Sequence, residues 1–112
     1  MMSPLLLLWA ATLGAAQRPA EPAAIMDRIE ATITMPPGAS SMSLYGRYYA
    51  WESRDDGVRK VLGTYVRGER PERHWVHQNE LPLVLDGGCD IVTLTYDFDA
   101  DRIERVECNG DG

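Results

Sequence analysis

Asp97, Asp99 and Asp101 stand at alternate positions in the tract Asp97-Phe98-Asp99-Ala100-Asp101, the spacing with which a calcium-binding loop opens. Alternating carboxylates of that kind converge on one ion that takes about six to eight oxygen ligands. The continuation breaks the pattern. Arg102 follows where such a loop needs Gly, and Cys108 stands where the closing bidentate Glu belongs. Asp and Arg suit a solvated hairpin tip, so no metal site is expected here. His74 and His77, close to Glu72 and Glu80, form the other titratable group. Neutral imidazole ligates metals and exchanges protons near neutrality. With Trp75 and Val76 between them in an extended segment, however, residues three apart face opposite ways, and the two rings are expected to be ordinary sheet-surface histidines.

Nucleophilic catalysis needs a Ser or Cys held beside a base and an oxyanion site, and the chain has no G-x-S-x-G elbow. Ser40, Ser41, Ser43 and Ser53 all fall in expected loops. Gly87 and Gly88 make a turn rather than a phosphate loop leading into a helix, so no cofactor is predicted. What remains is aromatic. Tyr45, Tyr48, Tyr49 and Trp51 lie within seven residues, with Arg47 among them. Exposed Tyr, Trp and Arg anchor protein and glycan contacts. In a strand Tyr45, Tyr49 and Trp51 share one parity and Tyr48 has the other, so much of the cluster is expected to be core. The candidate binding residues are Arg47, Tyr48 and Trp75, whichever are exposed.

These residues sit in a chain of 112 residues and 12.5 kDa, 45% hydrophobic and 25% charged, which describes one small globular domain. Its 17 acidic and 11 basic residues give a formal charge of -6, the wrong sign for a nucleic-acid partner or an anionic membrane surface. Residues 1–16 carry no charged side chain and hold the apolar block Leu5 to Leu13, ending in Gly14, Ala15 and Ala16. That is the pattern of a cleaved secretory signal peptide, and it is shorter than the roughly 20 apolar residues of a membrane span. Its leading segment is atypical in lacking Lys and Arg. No Cys follows the block, which argues against a lipid-modified N-terminus. Cleavage after Ala16 leaves a 96-residue acidic domain with no stable membrane span.

A domain of that size buries only about two-thirds of its unfolded surface, so a covalent staple is valuable. Cys89 and Cys108 are the only cysteines, and in an oxidising compartment they are expected to form one disulfide. A metal pair or a redox couple fits less well, because the separation of 19 is not Cys-x-x-Cys and two sulfurs do not fill a zinc site.

The elements follow from periodicity. Residues 17–22 read as a flexible leader, and residues 23–112 as a single domain. Ile25, Met26, Ile29 and Ile33 recur at helical spacing, with Asp27, Arg28 and Glu30 on the other side, and Pro36 and Pro37 beyond. The β-branched Thr32, Ile33 and Thr34 leave the last turn open to an extended conformation. Leu44 to Glu52 and Val58 to Arg67 make a hairpin about Asp55, Asp56 and Gly57. His74 to Gln78 is short and extended, and Leu81 to Leu85 is an apolar tract that Pro82 marks as an edge strand or a bend. Val92, Leu94, Tyr96 and Phe98 occupy one face of the clearest strand. Its return through Ile103 and Val106 changes parity, which predicts a bulge or a register change, and places Cys108 near Cys89. The predicted fold is α+β: an N-terminal helix packed on a four- or five-stranded antiparallel sheet with one disulfide.

The stretch Tyr45-Gly46-Arg47-Tyr48-Tyr49-Ala50, with Leu81-Pro82, Asp86-Gly87-Gly88-Cys89, Tyr96-Asp97 and Cys108-Asn109-Gly110, resembles small exported proteins of Gram-negative bacteria. The resemblance implies a secreted or periplasmic address and no particular activity. The functional expectation is an exported, non-enzymatic module that binds an envelope protein, glycan or other envelope component. The alternative is a small periplasmic hydrolase or ligand-binding domain with a pocket between helix and sheet, using His74, His77 and Glu80.

Overall fold

The computed structural model describes residues 17–110, so residues 1–16, read above as a signal peptide, lie outside the described residues. Pro22 opens helix α1 (Pro22–Thr32), where its missing N–H costs nothing and its fixed φ suits the first turn. Ile25, Met26 and Ile29 are buried along one side. Ile33 ends the helix in an extended conformation, as a β-branched run before Pro36 and Pro37 favours, and still packs against the core. Ahead of α1, Arg18 donates through Nη2 to the carbonyls of Phe98 and Asp99 and lies 5.1 Å from the Phe98 ring, so the leader crosses to the far end of the sheet.

Five strands follow: β1 (Tyr45–Trp51), β2 (Lys60–Arg67), β3 (Arg73–Trp75), β4 (Ile91–Asp97) and β5 (Arg102–Cys108), in the spatial order β3-β1-β2-β4-β5. The sheet is mixed rather than antiparallel throughout, because β3 runs parallel to β1 while the other three pairs are antiparallel. Chain geometry accounts for this. Arg67 ends β2 opposite Tyr45, the start of β1. The short segment 68–72 wraps round that end and delivers β3 to the open side of β1, pointing the same way. The wrap is close: a Cβ on Gly46 would lie 2.9 Å from Glu69 Cβ and 3.1 Å from the Arg70 carbonyl oxygen.

Leu81 to Leu85 is not a strand. After a 3-10 turn at Gln78–Glu80 the chain runs beside Leu62, Thr64, Ile91 and Thr93, on the sheet face opposite α1, as a strap that does not join the ladder. Proline cannot donate to a ladder, and the strap is held from outside the sheet instead: Asn109 Nδ2 donates to the carbonyls of Val84 (2.6 Å) and Asp86 (3.0 Å). Leu83 and Leu85 are 85% and 83% exposed.

The core lies between α1 and the sheet. Ile25, Met26 and Ile29 meet Tyr45, Tyr49, Val61, Tyr65, Val92, Leu94 and Tyr96. Gly63 sits beneath Leu94, where a Cβ would come within 2.8 Å of its Cγ, so the branched leucine fills the space over the glycine. The register shifts between Thr95 and Tyr96, pairing Leu94 with Val106 and Tyr96 with Ile103. That bulge returns Val106 and Ile103 to the same face and resolves their difference in parity. Cys89 and Cys108 form the disulfide, with Cα atoms 4.6 Å apart. Cys108 pairs with Val92 in the ladder, and the Gly88–Asp90 turn brings Cys89 back to it.

Tyr49, Tyr65 and Tyr96 have phenol pKa values raised chiefly by burial, with Tyr96 pushed up to about 12 by burial and its hydrogen bond to Asp101. A phenol that titrates at about 10 when unfolded but stays neutral when folded contributes stability that is complete below pH 10. That stability is lost as pH rises towards the folded pKa, by about 1.4 kcal/mol per pH unit for each such group. Alkaline unfolding is therefore expected to set in above about pH 10. Ultraviolet difference absorbance should show most tyrosinate forming together with the loss of circular dichroism. Smooth titration of every tyrosine while the dichroism persists would contradict the burial of these hydroxyls.

Candidate binding cleft

The sequence-predicted site residues do not share one surface. Register places Arg47 beside Arg73, Tyr48 beside His74, and Tyr49 beside Trp75. Paired residues lie on the same side of a sheet, so Arg47 and Trp75 are on the α1 side and Tyr48 is on the reverse.

Arg47 shares the inward parity of Tyr45 and Tyr49, and a guanidinium there needs a carboxylate partner. Helix α1 supplies one. Arg47 Nε donates to Glu30 Oε2 at 2.9 Å, and Nη1 donates to the carbonyls of Tyr45 (3.0 Å) and Met42 (3.3 Å). The two side chains are 11% and 13% exposed. Tyr49 also donates to Glu30 Oε2 at 2.6 Å; its single hydroxyl proton is thereby used, so Tyr65, 2.6 Å away, donates to Tyr49. Arg73 closes the network from β3, 2.6 Å from Asp27 and 3.9 Å from Glu30. Glu30, expected on the solvent side of the helix, is thus the acceptor at the centre of a part-buried polar cluster. The signal for it was an arginine at core parity, which required a counter-charge from the element packed above.

Tyr48 lies on the reverse face, stacked on His74 with ring centroids 4.8 Å apart and its hydroxyl donating to Glu69 at 2.6 Å. That hydrogen bond, with some burial, raises the Tyr48 pKa. His74 is also 3.9 Å from Glu72. His77 is elsewhere, past the end of β3. The aspartates of the β4–β5 turn have separate partners: Asp97 accepts from the Ala100 N–H, Asp99 from Arg59, and Asp101 from Arg28 and Tyr96. Asp101 also has a left-handed φ of 53°, which an aspartate tolerates in a turn. Arg28 and Arg59 hold the carboxyl groups of Asp101 and Asp99 below the ordinary range. Among the described residues, no group of three or more His, Cys, Asp or Glu could hold a metal ion.

Trp75 has a different setting. It ends β3 as Trp51 ends β1, and the indoles meet edge to face with centroids 5.7 Å apart and planes at 76°. Trp51 makes the same kind of contact with Phe98, which anchors the pair to the core. Val76 N–H donates to Tyr49 at 2.8 Å, and the chain then folds back: Glu80 N–H donates to the His77 carbonyl at 2.8 Å, and Glu80 Oε1 accepts from the His77 N–H at 2.9 Å. Gln78 Oε1 accepts from the Ser53 N–H at 2.6 Å and fixes the turn beside the strand ends. Between turn and strands lies a surface cleft of about 410 Å³, lined by Trp51, Trp75, Val76, His77, Gln78 and Glu80.

No family model, curated protein or solved structure matches the chain. Two indoles supply apolar contact area at little conformational cost, and the surrounding amide, imidazole and carboxylate can orient what rests on them. Trp51, read from the sequence chiefly as a core residue, shares this surface with Trp75. Parity placed its side correctly, but not its partial burial beside Trp75 at the ends of the two strands.

Proposed function

We propose that the protein is an exported, non-enzymatic module that binds a component of the cell envelope through the Trp51–Trp75 cleft. The observation that carries this reading is the indole pair itself, held at a surface and backed by the core through Phe98. Large, rigid aromatic side chains beside a cleft are the residues that dominate binding energy. Other features agree with it. Residues 1–16 have the composition of a secretory signal, a disulfide closes the C-terminal hairpin, and no helix of the described residues is long and apolar enough to cross a membrane. The acid-base candidates do not assemble: His77 and Glu80 line the cleft, while His74 stacks on Tyr48 at the reverse face.

The test is a cross-linking pull-down from native envelope, comparing the parent protein with Trp75→Ala and Tyr48→Ala. Both variants are first checked for a cooperative thermal transition. A partner lost with Trp75→Ala and kept with Tyr48→Ala is the expected result. Equal capture by all three would remove the cleft as the contact surface, and no specific capture by the parent would sink the binding role.

A further inference from the structure

The charges around the cleft are one-sided. Among its lining residues Glu80 is the only one with a formal charge at neutral pH, on a chain whose net charge is -6. One Glu80 oxygen accepts from the His77 N–H, and a backbone amide leaves the carboxylate's charge unneutralised. Neighbouring cations are matched: Arg73 with Asp27 and Glu30, Arg54 with Glu52 and Asp56, and Arg59, over the Phe98 ring that touches Trp51, with Asp99. Two indoles beside an unneutralised carboxylate suit a cation, because the negative face of an indole attracts it and the carboxylate adds a charged acceptor.

The sheet edge narrows the choice of ligand. Strand β3 is terminal in the sheet. The Glu72 carbonyl accepts from Arg47 N–H and Val76 N–H donates to Tyr49, so the peptide groups at alternate residues 72, 74 and 76 face β1. Those of Arg73 and Trp75 therefore face the open side of the sheet, and Trp75 also lines the cleft. An extended backbone can pair with such an edge while one of its side chains enters an adjoining pocket.

We infer that the cleft receives an arginine or lysine side chain of an extended segment in a protein partner, with the segment's backbone laid along β3. The inference rests on the binding-module reading and specifies the partner's chemistry. Arginine is the better fit, since its planar guanidinium stacks on indoles and can donate to Glu80 at the same time.

The experiment follows the indole N–H resonances of Trp51 and Trp75 in the nitrogen-15-labelled protein during titration with short extended peptides. The peptides differ only at one central residue: Arg, Lys, Gln or Glu. The Arg peptide is expected to shift both indoles and to bind about tenfold more tightly than the Gln peptide, with Lys between them. Glu80→Gln keeps an acceptor for the His77 N–H, and should weaken the Arg peptide by about three- to tenfold while leaving the Gln peptide unchanged. Equal binding of Arg and Gln peptides, or an unchanged affinity in Glu80→Gln, would overturn the inference. So would choline moving the indoles as strongly as the Arg peptide, because that would assign the site to a free ammonium ligand. A partner captured in a Trp75-dependent way by a cleft blind to peptide charge would leave the binding role standing and remove only the cationic partner.

Discussion

Glu30→Ala is expected to lower stability by about 2–3 kcal/mol, less than the roughly 3–5 kcal/mol of breaking a fully buried ion pair because both side chains keep some exposure. Arg47 would keep its two carbonyl contacts but lose the carboxylate that accepts from its Nε, and Tyr49 would lose the acceptor for its hydroxyl. For a domain of this size each kcal/mol moves the thermal midpoint by about 4–8 °C, so the change is large in a thermal circular dichroism scan. Glu30→Gln should cost less, because an amide oxygen still accepts from Tyr49. The double variant Glu30→Leu with Arg47→Met should recover much of the loss, since a buried pair replaced by apolar residues of similar volume is often neutral. A midpoint unchanged in Glu30→Ala would mean that water takes over both contacts and that the cluster contributes only to register.

Replacing Cys89 and Cys108 together with Ala is expected to cost about 3 kcal/mol, the chain entropy released when a loop of this length is opened. Further contacts cluster at the bridge. Tyr45 donates to the Cys89 carbonyl at 2.7 Å while accepting from the Ser40 N–H at 3.1 Å, and Asn109, next to Cys108, holds the strap at Val84 and Asp86. Hydrogen exchange should therefore rise first at residues 84–90 and at the start of β1, and less in the β1–β2 hairpin. A melting temperature equal to the parent's would show that the hairpin ladder alone closes this end of the sheet.

The strands were legible where a single face decides burial. Val92, Leu94 and Tyr96 alternate because one side of β4 meets α1, and the parity change between Ile103 and Val106 reported the bulge directly. Helix α1 was legible for the same reason, from Ile25, Met26 and Ile29. Two features were not. Leu81 to Leu85 is apolar enough for a strand, but its backbone crosses the sheet instead of joining it, and hydropathy carries no information about which way a segment runs. The parallel direction of β3 likewise depends on which end of β1 the 68–72 segment passes, a property of the loop's path. Of the site, Trp75 was legible as a candidate and Tyr48 as a residue apart from the Tyr45–Tyr49–Trp51 face. The partnership of Trp75 with Trp51 was not, since it joins residues from two strands whose pairing no local pattern encodes.

Without β3 the sheet is an unbroken antiparallel meander, β1-β2-β4-β5, in which Lys60 to Val66 of β2 pair directly with Asp97 to Ile91 of β4. Everything from Gly68 to Asp90 is one excursion from that frame, leaving and rejoining at strand ends that already face each other. Trp75, His77, Gln78 and Glu80 all belong to the excursion, whereas the helix–sheet core belongs almost wholly to the frame. Loops carried on a rigid scaffold tolerate sequence change that cores do not. If the cleft is the binding site proposed above, substitutions at His77, Gln78 and Glu80 can change its chemistry while the stability of the meander stays nearly constant.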